Sequence, residues 1–121
     1  ISNTLYGKKN NILNIKKIDA KILSKLSFQN VEAKKFPSIK LINKCLNLGI
    51  LTPTIVNASN EVLVSLFLSN KITFLDIIKT INKIFKDKDF TKYARRRPES
   101  IKDIQIVDNW ARLKTLDMCV R

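Results

Sequence analysis

The 121-residue sequence contains no histidine and only two glycines. Without histidine, neither a Ser–His–Asp triad nor a Cys–His pair can be assembled, and the usual zinc and haem ligand sets are incomplete. Because glycine occurs only at Gly7 and Gly49, the chain has neither a GxGxxG dinucleotide fingerprint nor a phosphate-binding loop. These absences exclude most familiar catalytic and nucleotide-binding motifs from these residues.

Cysteines and long apolar runs are also scarce. Cys45 and Cys119 are far apart in the sequence, which favours reduced thiols in a cytosol-like compartment over a disulfide framework. No apolar run approaches the roughly 20 residues of a membrane-spanning helix. The chain begins at Ile1 and its first residues show no signal or transit pattern. We therefore predict a cytoplasmic location and expect a fragment of a longer protein without a membrane partner.

Acidic residues are the minority charge, with 10 acids against 23 lysines and arginines and a net charge of +13. Such a charge ordinarily suggests nucleic acid as a partner. The lysines are scattered, however, without the exposed aromatics of a base-stacking platform, and the wealth of Ile, Lys and Asn is typical of A/T-rich codons. Only Tyr93–Arg97 (YARRR) is concentrated, and a solvated basic loop is favoured there over an anion site. A small basic helical protein that binds RNA or a ribosome remains the alternative function.

Composition predicts a mainly α-helical fold, since 45% of residues are hydrophobic and only three are proline. We predict a small antiparallel four-helix bundle in residues 36–121, preceded in residues 1–35 by an extended linker. Within the linker, Asp19 should cap a short helix. The first bundle helix should start near Ser38 after Phe36-Pro37 and end at Gly49. Its predicted apolar face is Ile39, Ile42, Cys45 and Leu46.

The second helix is predicted from Asn57 to Leu68, because the β-branched residues 54–56 favour extended backbone. Thr52-Pro53 offers an earlier start as an alternative. With a start at Asn57, the polar residues Asn57, Asn60 and Glu61 form a motif in the first turn. They cap their own helix, or they form a buried polar network with the linker or a neighbouring helix. We expect the network.

The remaining helices have clear start signals. Thr73 followed by Asp76 resembles a capping box, and that helix should end near Lys88. Ser100 followed by Asp103 repeats the pattern for a fourth helix. The predicted core face of the third helix is Phe74, Ile77, Ile78, Ile81, Ile84 and Phe85, and that of the fourth is Ile104, Val107, Trp110 and Ala111.

Carboxylate pairs are the only remaining candidates for catalysis or metal binding. Asp87 and Asp89 flank a lysine in a predicted loop, and Asp103 and Asp108 fall on different faces of a helix. Caps and surface charges explain these residues better. We therefore predict no catalytic, cofactor-binding or metal-binding residue, and we single out only the structural polar motif of Asn57, Asn60 and Glu61.

Several short motifs in a fixed order resemble one enzyme family. They are LSF at 26–28, FP at 36–37, NASNE at 57–61, FL at 67–68, KI at 71–72, FLDI at 74–77 and the ending at 101–112. Together they resemble the C-terminal part of the 1-deoxy-D-xylulose 5-phosphate reductoisomerases. That family rearranges and reduces this substrate to 2-C-methyl-D-erythritol 4-phosphate in non-mevalonate isoprenoid synthesis.

The resemblance implies a larger enzyme with an NADPH-binding domain, a catalytic domain that binds a divalent metal (Mg or Mn), a linker and a helical C-terminal domain. Residues 1–6 would be the end of the catalytic domain, 7–35 the linker and the remainder the helical domain. NADPH, the metal and the substrate would bind upstream, not to this segment. The implied partners are the upstream domains of the same chain and a second copy in a homodimer.

Overall fold

The described part of the protein, in a computed structural model, comprises residues 24–32 and 34–119, apart from the side chain of Leu46. Contacts divide the chain into two units, residues 1–30 and residues 31–121. In the first unit, residues 24–30 form a turn and an irregular exposed segment. The helix predicted at Asp19 lies outside the described residues, and the domain boundary after residue 35 stays a prediction.

The second unit is helical, and its described residues form no strand. The helices are α1 (Ser38–Leu48), α2 (Thr52–Leu68), α3 (Phe74–Ile84), α4 (Phe90–Ala94) and α5 (Ile101–Cys119). The mainly α-helical prediction is confirmed, with the short α4 added to the four predicted helices.

Contacts between helices fix their directions. Leu41 of α1 shares a cluster with Leu63, near the far end of α2, so these two helices run antiparallel. Phe67 meets Phe74 edge-to-face across the α2–α3 turn, with ring centroids 5.9 Å apart. Cys119, at the end of α5, packs against the cluster that contains Ile77 and Ile81 of α3, whereas Asp87, just after α3, pairs with Lys114, more than one turn earlier in α5. The helices α1, α2, α3 and α5 therefore alternate in direction along the chain, as the antiparallel bundle predicts. As a result, α2 and α5 run parallel to each other.

The core consists of two hydrophobic clusters that meet at Phe85, which packs against both. The buried residues of the first cluster are Leu51, Ile55, Ala58, Ile84, Phe90, Ala94, Val107 and Ala111, and Leu48 of α1 packs against them. The second comprises Leu41, Leu63, Ile77 and Ile81. Burial of these side chains is the main favourable term in folding.

The bounds of α1 are as predicted, but its buried face is not. Leu41 is 6% exposed, whereas Ile39 and Ile42 are 38% and 63% exposed. Because neighbouring helix positions are about 100° apart, the contact with α2 is rotated by one position from the predicted stripe. Cys45 remains half-buried.

The predicted start of α2 at Asn57 is wrong, and the earlier alternative is correct. The helix begins at Thr52 with Pro53 in its first turn, where the missing N–H is not needed. Ile55 is fully buried in the first cluster. This burial outweighs the modest preference of β-branched residues for extended backbone.

The start of α3 follows the predicted capping pattern. The backbone N–H of Thr73 donates to Asp76 Oδ2 at 2.9 Å, and its hydroxyl donates to the same oxygen at 2.6 Å. These hydrogen bonds lower the pKa of the Asp76 carboxyl, with the hydroxyl contributing most. The helix ends at Ile84 rather than near Lys88, and Phe74, predicted to be core, is 66% exposed.

The start of α5 also matches its prediction. The Ser100 N–H and hydroxyl donate to Asp103 Oδ2 at 3.0 and 2.9 Å. Val107 and Ala111 are fully buried as expected, but Ile104 is 39% exposed. Trp110 is half-buried against the first cluster.

The segment between the third and fourth predicted helices contains the short helix α4, whose last two residues are the first two of the predicted basic loop. Phe90 and Ala94, one helical turn apart, are buried in the first cluster, and this burial holds the segment against α2. The carbonyl of Ala94 accepts the N–H of Leu51 at 2.9 Å. Gly49, the predicted end of α1, lies so close that a Cβ there would be 2.6 Å from the Ala94 carbonyl carbon.

Replacing Thr73 with Ala should destabilise the chain by about 1 kcal/mol, because the helix cap loses its hydroxyl. Thr73→Ser keeps the hydroxyl and is the matched control. Urea unfolding monitored by circular dichroism measures the difference. Equal midpoints for all three proteins would show that this hydroxyl does not support α3.

Replacing Gly49 with Ala should destabilise the chain by roughly 1–3 kcal/mol, because the new methyl group overlaps the Ala94 carbonyl. Relief requires a backbone shift that stretches the Leu51–Ala94 hydrogen bond. Lys40→Ala, at an exposed position of α1, is the control and should have little effect. Thermal unfolding of the two variants beside the parent tests this, and a Gly49→Ala protein as stable as the control would contradict it.

Candidate functional site

A polar cluster joins α2 to α5 at the surface, and we call Asn57, Glu61, Asp108 and Arg112 the cross-helix polar cluster. Arg112 Nη2 donates to Glu61 Oε2 at 2.7 Å. Its Nε and Nη2 also contact the two Asp108 oxygens at 2.7 and 3.3 Å. Asn57 Nδ2 donates to the second Glu61 oxygen at 3.1 Å. One guanidinium thus holds carboxylates from two helices.

Both helices position this cluster through residue spacing. Asn57 and Glu61 are one turn apart on α2, as are Asp108 and Arg112 on α5, so each pair shares a helix face. The hydrogen bonds that Arg112 donates to Asp108, and then the one that it donates to Glu61, raise the pKa of Arg112 above its usual value. The guanidinium stays charged throughout the physiological range. Glu61 is 53% exposed and Arg112 is 36% exposed, so solvent weakens their attraction.

The predicted polar motif is only partly brought together. Asn57 and Glu61 are in contact, whereas the side chain of Asn60 has no hydrogen-bond partner among the described residues. All three lie inside α2, so the capping interpretation is wrong. They are also exposed, so the buried setting that we expected is wrong too.

Sequence reasoning missed Arg112 and Asp108 as members of the cluster. The four-residue spacing between them is a detectable signal for an ion pair within one helix. Their contact with Glu61 depends on the packing of α2 against α5, which no local pattern reveals.

Two shallow grooves flank Glu61. The first is about 440 Å³ and is lined by Asn60, Glu61, Val64, Ser65, Leu68 and Ser69. The second is about 380 Å³ and is lined by Glu61, Val62, Ser65, Leu66, Arg112 and Leu116. We call these two grooves together the Glu61 surface. No lysine among the described residues lines either groove, although the chain is strongly basic.

The other acidic residues have structural partners. Asp87 is about one-tenth exposed and pairs with Lys114 at 2.9 Å, and it accepts the Asp89 N–H at 3.0 Å. Burial raises the pKa of Asp87, but the hydrogen bonds from Lys114 and Asp89 outweigh it and the net shift is downward. No cluster of potential metal ligands occurs within residues 24–32 and 34–119. Asp103 caps α5, in agreement with its interpretation, but Asp87 is largely covered and paired with Lys114, so its interpretation as a cap or surface charge is wrong.

The basic segment after α4 is partly used by the fold. Arg96 forms an ion pair with Asp103, and Tyr93 stacks on Trp110 with ring centroids 4.4 Å apart. Arg95 and Arg97 are exposed and have no ion-pair partner in the described part of the chain. None of the helices there is both long and apolar enough to cross a bilayer.

The chain is similar to members of one enzyme family. A family described as the DXP reductoisomerase C-terminal domain matches residues 1–114. The 1-deoxy-D-xylulose 5-phosphate reductoisomerase of Pelagibacter ubique is 37% identical over 99% of this chain and 31% of its own length. The apicoplastic enzyme of Plasmodium falciparum is 33% identical over 87% of this chain and 22% of its own length.

A solved structure agrees with these relatives. The Zymomonas mobilis 1-deoxy-D-xylulose 5-phosphate reductoisomerase in complex with NADPH matches with a TM-score of 0.77 and 29% identity, over 98% of this chain and 30% of that one. The present chain therefore spans about a third or less of the length of these proteins.

Replacing Asn60 with Ala should stabilise the 121-residue chain by about 0.5 kcal/mol, since alanine is the better helix former and no described partner is lost. Asn57→Ala brings the same gain but breaks the hydrogen bond to Glu61, so its net effect should be smaller. Guanidinium unfolding of both variants makes the comparison. A clear destabilisation by Asn60→Ala would reveal a partner for this side chain within the chain itself.

Proposed function

This chain belongs to the family of DXP reductoisomerase C-terminal domains, and we propose that it is the C-terminal helical domain of an NADPH-dependent 1-deoxy-D-xylulose 5-phosphate reductoisomerase. Within that enzyme it supports the catalytic domain and carries no reacting group. The family match along residues 1–114 is the observation that carries the proposal. The structural match to the Zymomonas mobilis enzyme also supports the proposal, because it shows that the two folds agree.

The proposed enzyme rearranges and reduces 1-deoxy-D-xylulose 5-phosphate to 2-C-methyl-D-erythritol 4-phosphate with NADPH as reductant. NADPH and a divalent metal, Mg or Mn, bind to the upstream domains. The donor set of the described residues does not fit a metal, because no group of three or more carboxylates and cysteines is clustered there. We therefore assign this segment no step in the chemistry.

The proposed division of the chain is residues 1–35 as the end of the catalytic domain and the linker, and residues 36–121 as the helical domain. The partners are the upstream domains of the same chain and a second copy in a homodimer, in the cytoplasm. Two packed clusters suit this segment for support. The alternative of an RNA- or ribosome-binding protein has no support from the two relatives described above, which are both named as reductoisomerases.

The 121-residue chain alone should bind NADPH no more tightly than millimolar, because the glycine-rich motif for a dinucleotide is absent. Fluorescence titration with NADPH measures this, and the full-length protein is the positive control. The full-length protein with substrate and Mg²⁺ or Mn²⁺ should oxidise NADPH, as followed by absorbance.

Two results would contradict this assignment. One is micromolar NADPH affinity of the 121-residue chain. The other is an inactive full-length protein combined with RNA binding that persists at about 0.2 M salt, where non-specific phosphate contacts are much weakened.

A further inference from the structure

One of the two asparagines in the middle of α2, Asn60, has no local explanation. Asparagine is a poor helix former at interior positions because its side chain competes for backbone hydrogen bonds. Asn57 at least donates to Glu61. Asn60 is exposed, caps nothing and has no partner among the described residues. An amide that costs helix stability and satisfies nothing locally is expected where a partner completes its hydrogen bonds.

The surface around Asn60 could also be buried by a partner at a low cost in desolvation. Val64, Leu68 and Leu116 are 37%, 73% and 41% exposed, so an apolar partner would remove hydrophobic area from water. The positive charge of Arg112 is already held by two carboxylates. Since no described lysine lines either groove, a partner could cover both without desolvating an unpaired ammonium group of this part of the chain.

Two other exposed surfaces lack this combination. The groove beside α3 and α5 is lined by Lys83 and Lys114 together with Asp87 and Asp117. Phe74 and Leu75 are 66% and 64% exposed, but Lys79 lies one turn from Leu75 on α3 and is itself exposed. Covering either surface would place ammonium groups at the contact.

The proteins that this chain resembles contain a large additional body. Only 30% of the Zymomonas mobilis chain and 31% of the Pelagibacter ubique chain are matched by the present residues. A domain tethered to a body more than twice its size meets it at high effective concentration. That body is therefore favoured over a separate protein as the occupant of the Glu61 surface.

We propose that the Glu61 surface is the docking site for the upstream catalytic part of the same chain, an inference that rests on the proposed function. Apolar side chains of that part fill the two grooves beside Leu68 and Leu116. A hydrogen-bond donor of that part faces the exposed carboxylate of Glu61, and a polar group forms a hydrogen bond with the side-chain amide of Asn60. The inner face of α2 builds the bundle, and its outer face joins the bundle to the enzyme.

Photo-crosslinking in the full-length protein tests the occupant directly. Leu68 is replaced by p-benzoylphenylalanine, and the control carries it at Leu113, an exposed leucine of α5 that lines neither groove. Isotopically light and heavy proteins are mixed before irradiation, so that mass spectrometry separates crosslinks within a chain from those between chains. We expect crosslinks within one chain to peptides upstream of Ile1, at a yield about tenfold above the control, because crosslinking requires contact.

Crosslinks between light and heavy chains would identify a second copy as the occupant and overturn the proposal. Crosslinks only to residues 1–30, or equal yields at positions 68 and 113, would overturn it too. NADPH oxidation by the same preparations separates this inference from the proposed function. An active enzyme with the wrong crosslinks refutes only the docking site, and an inactive protein with upstream crosslinks refutes only the function.

A second pair of variants guards against a bulky group that disturbs folding. Leu68→Lys places a charge in the proposed contact, and Leu113→Lys places one on the control surface. For the full-length enzyme, Leu68→Lys should shorten the half-time of thermal inactivation by roughly tenfold, while Leu113→Lys leaves it near that of the parent. Equal half-times for the two variants would overturn the proposal.

Discussion

The close packing of α2 against α5 is the contact on which the rest of the domain depends. Small side chains make it possible, because Ala58 and Ala111 meet in the first cluster with Val107 and are fully buried. Where side chains are small, helix axes can approach and neighbouring side chains interdigitate at the density of a protein interior. Ile55 is buried by the same packing, and this burial extends α2 back to Thr52. The Glu61–Arg112 ion pair is a consequence of that approach and not its cause, since both residues are substantially exposed.

Two buried hydroxyls lie on the packed side of α2. Thr52 Oγ1 and Ser59 Oγ are fully buried and lack a hydrogen-bond partner in the described part of the protein. An unsatisfied buried hydroxyl is unfavourable, and size does not explain these residues, because valine has the shape of threonine and alanine is smaller than serine. In contrast, the Thr115 hydroxyl of α5 donates to the Ala111 carbonyl at 2.7 Å. The packing of α2 against its neighbours therefore outweighs the cost of two unpaired hydroxyls.

Predictions from sequence succeeded where the cause is local. The pairs Thr73–Asp76 and Ser100–Asp103 and the stop at Gly49 involve neighbours within one turn, so sequence spacing is enough to find them. Predictions failed where a distant contact decides. The β-branched start of α2 and the buried side of α1 depend on which helices meet. The candidate site divides in the same way, because the spacing of Asn57 and Glu61 is visible in the sequence and the reach of Arg112 from another helix is not.

The distribution of charge separates the two faces of α2 by role. Lysines and arginines make the chain strongly basic. Among the described residues, however, Arg112 is the only basic side chain that lines the Glu61 surface, and two carboxylates neutralise its charge. The described part of this surface has no lysine, and Asn60 weakens the helix without a partner there. Both features agree with the docking site that we propose. We relate the residues on the inner side of α2 to the stability of the domain, and those on its outer side to the proposed contact with the upstream part of the chain.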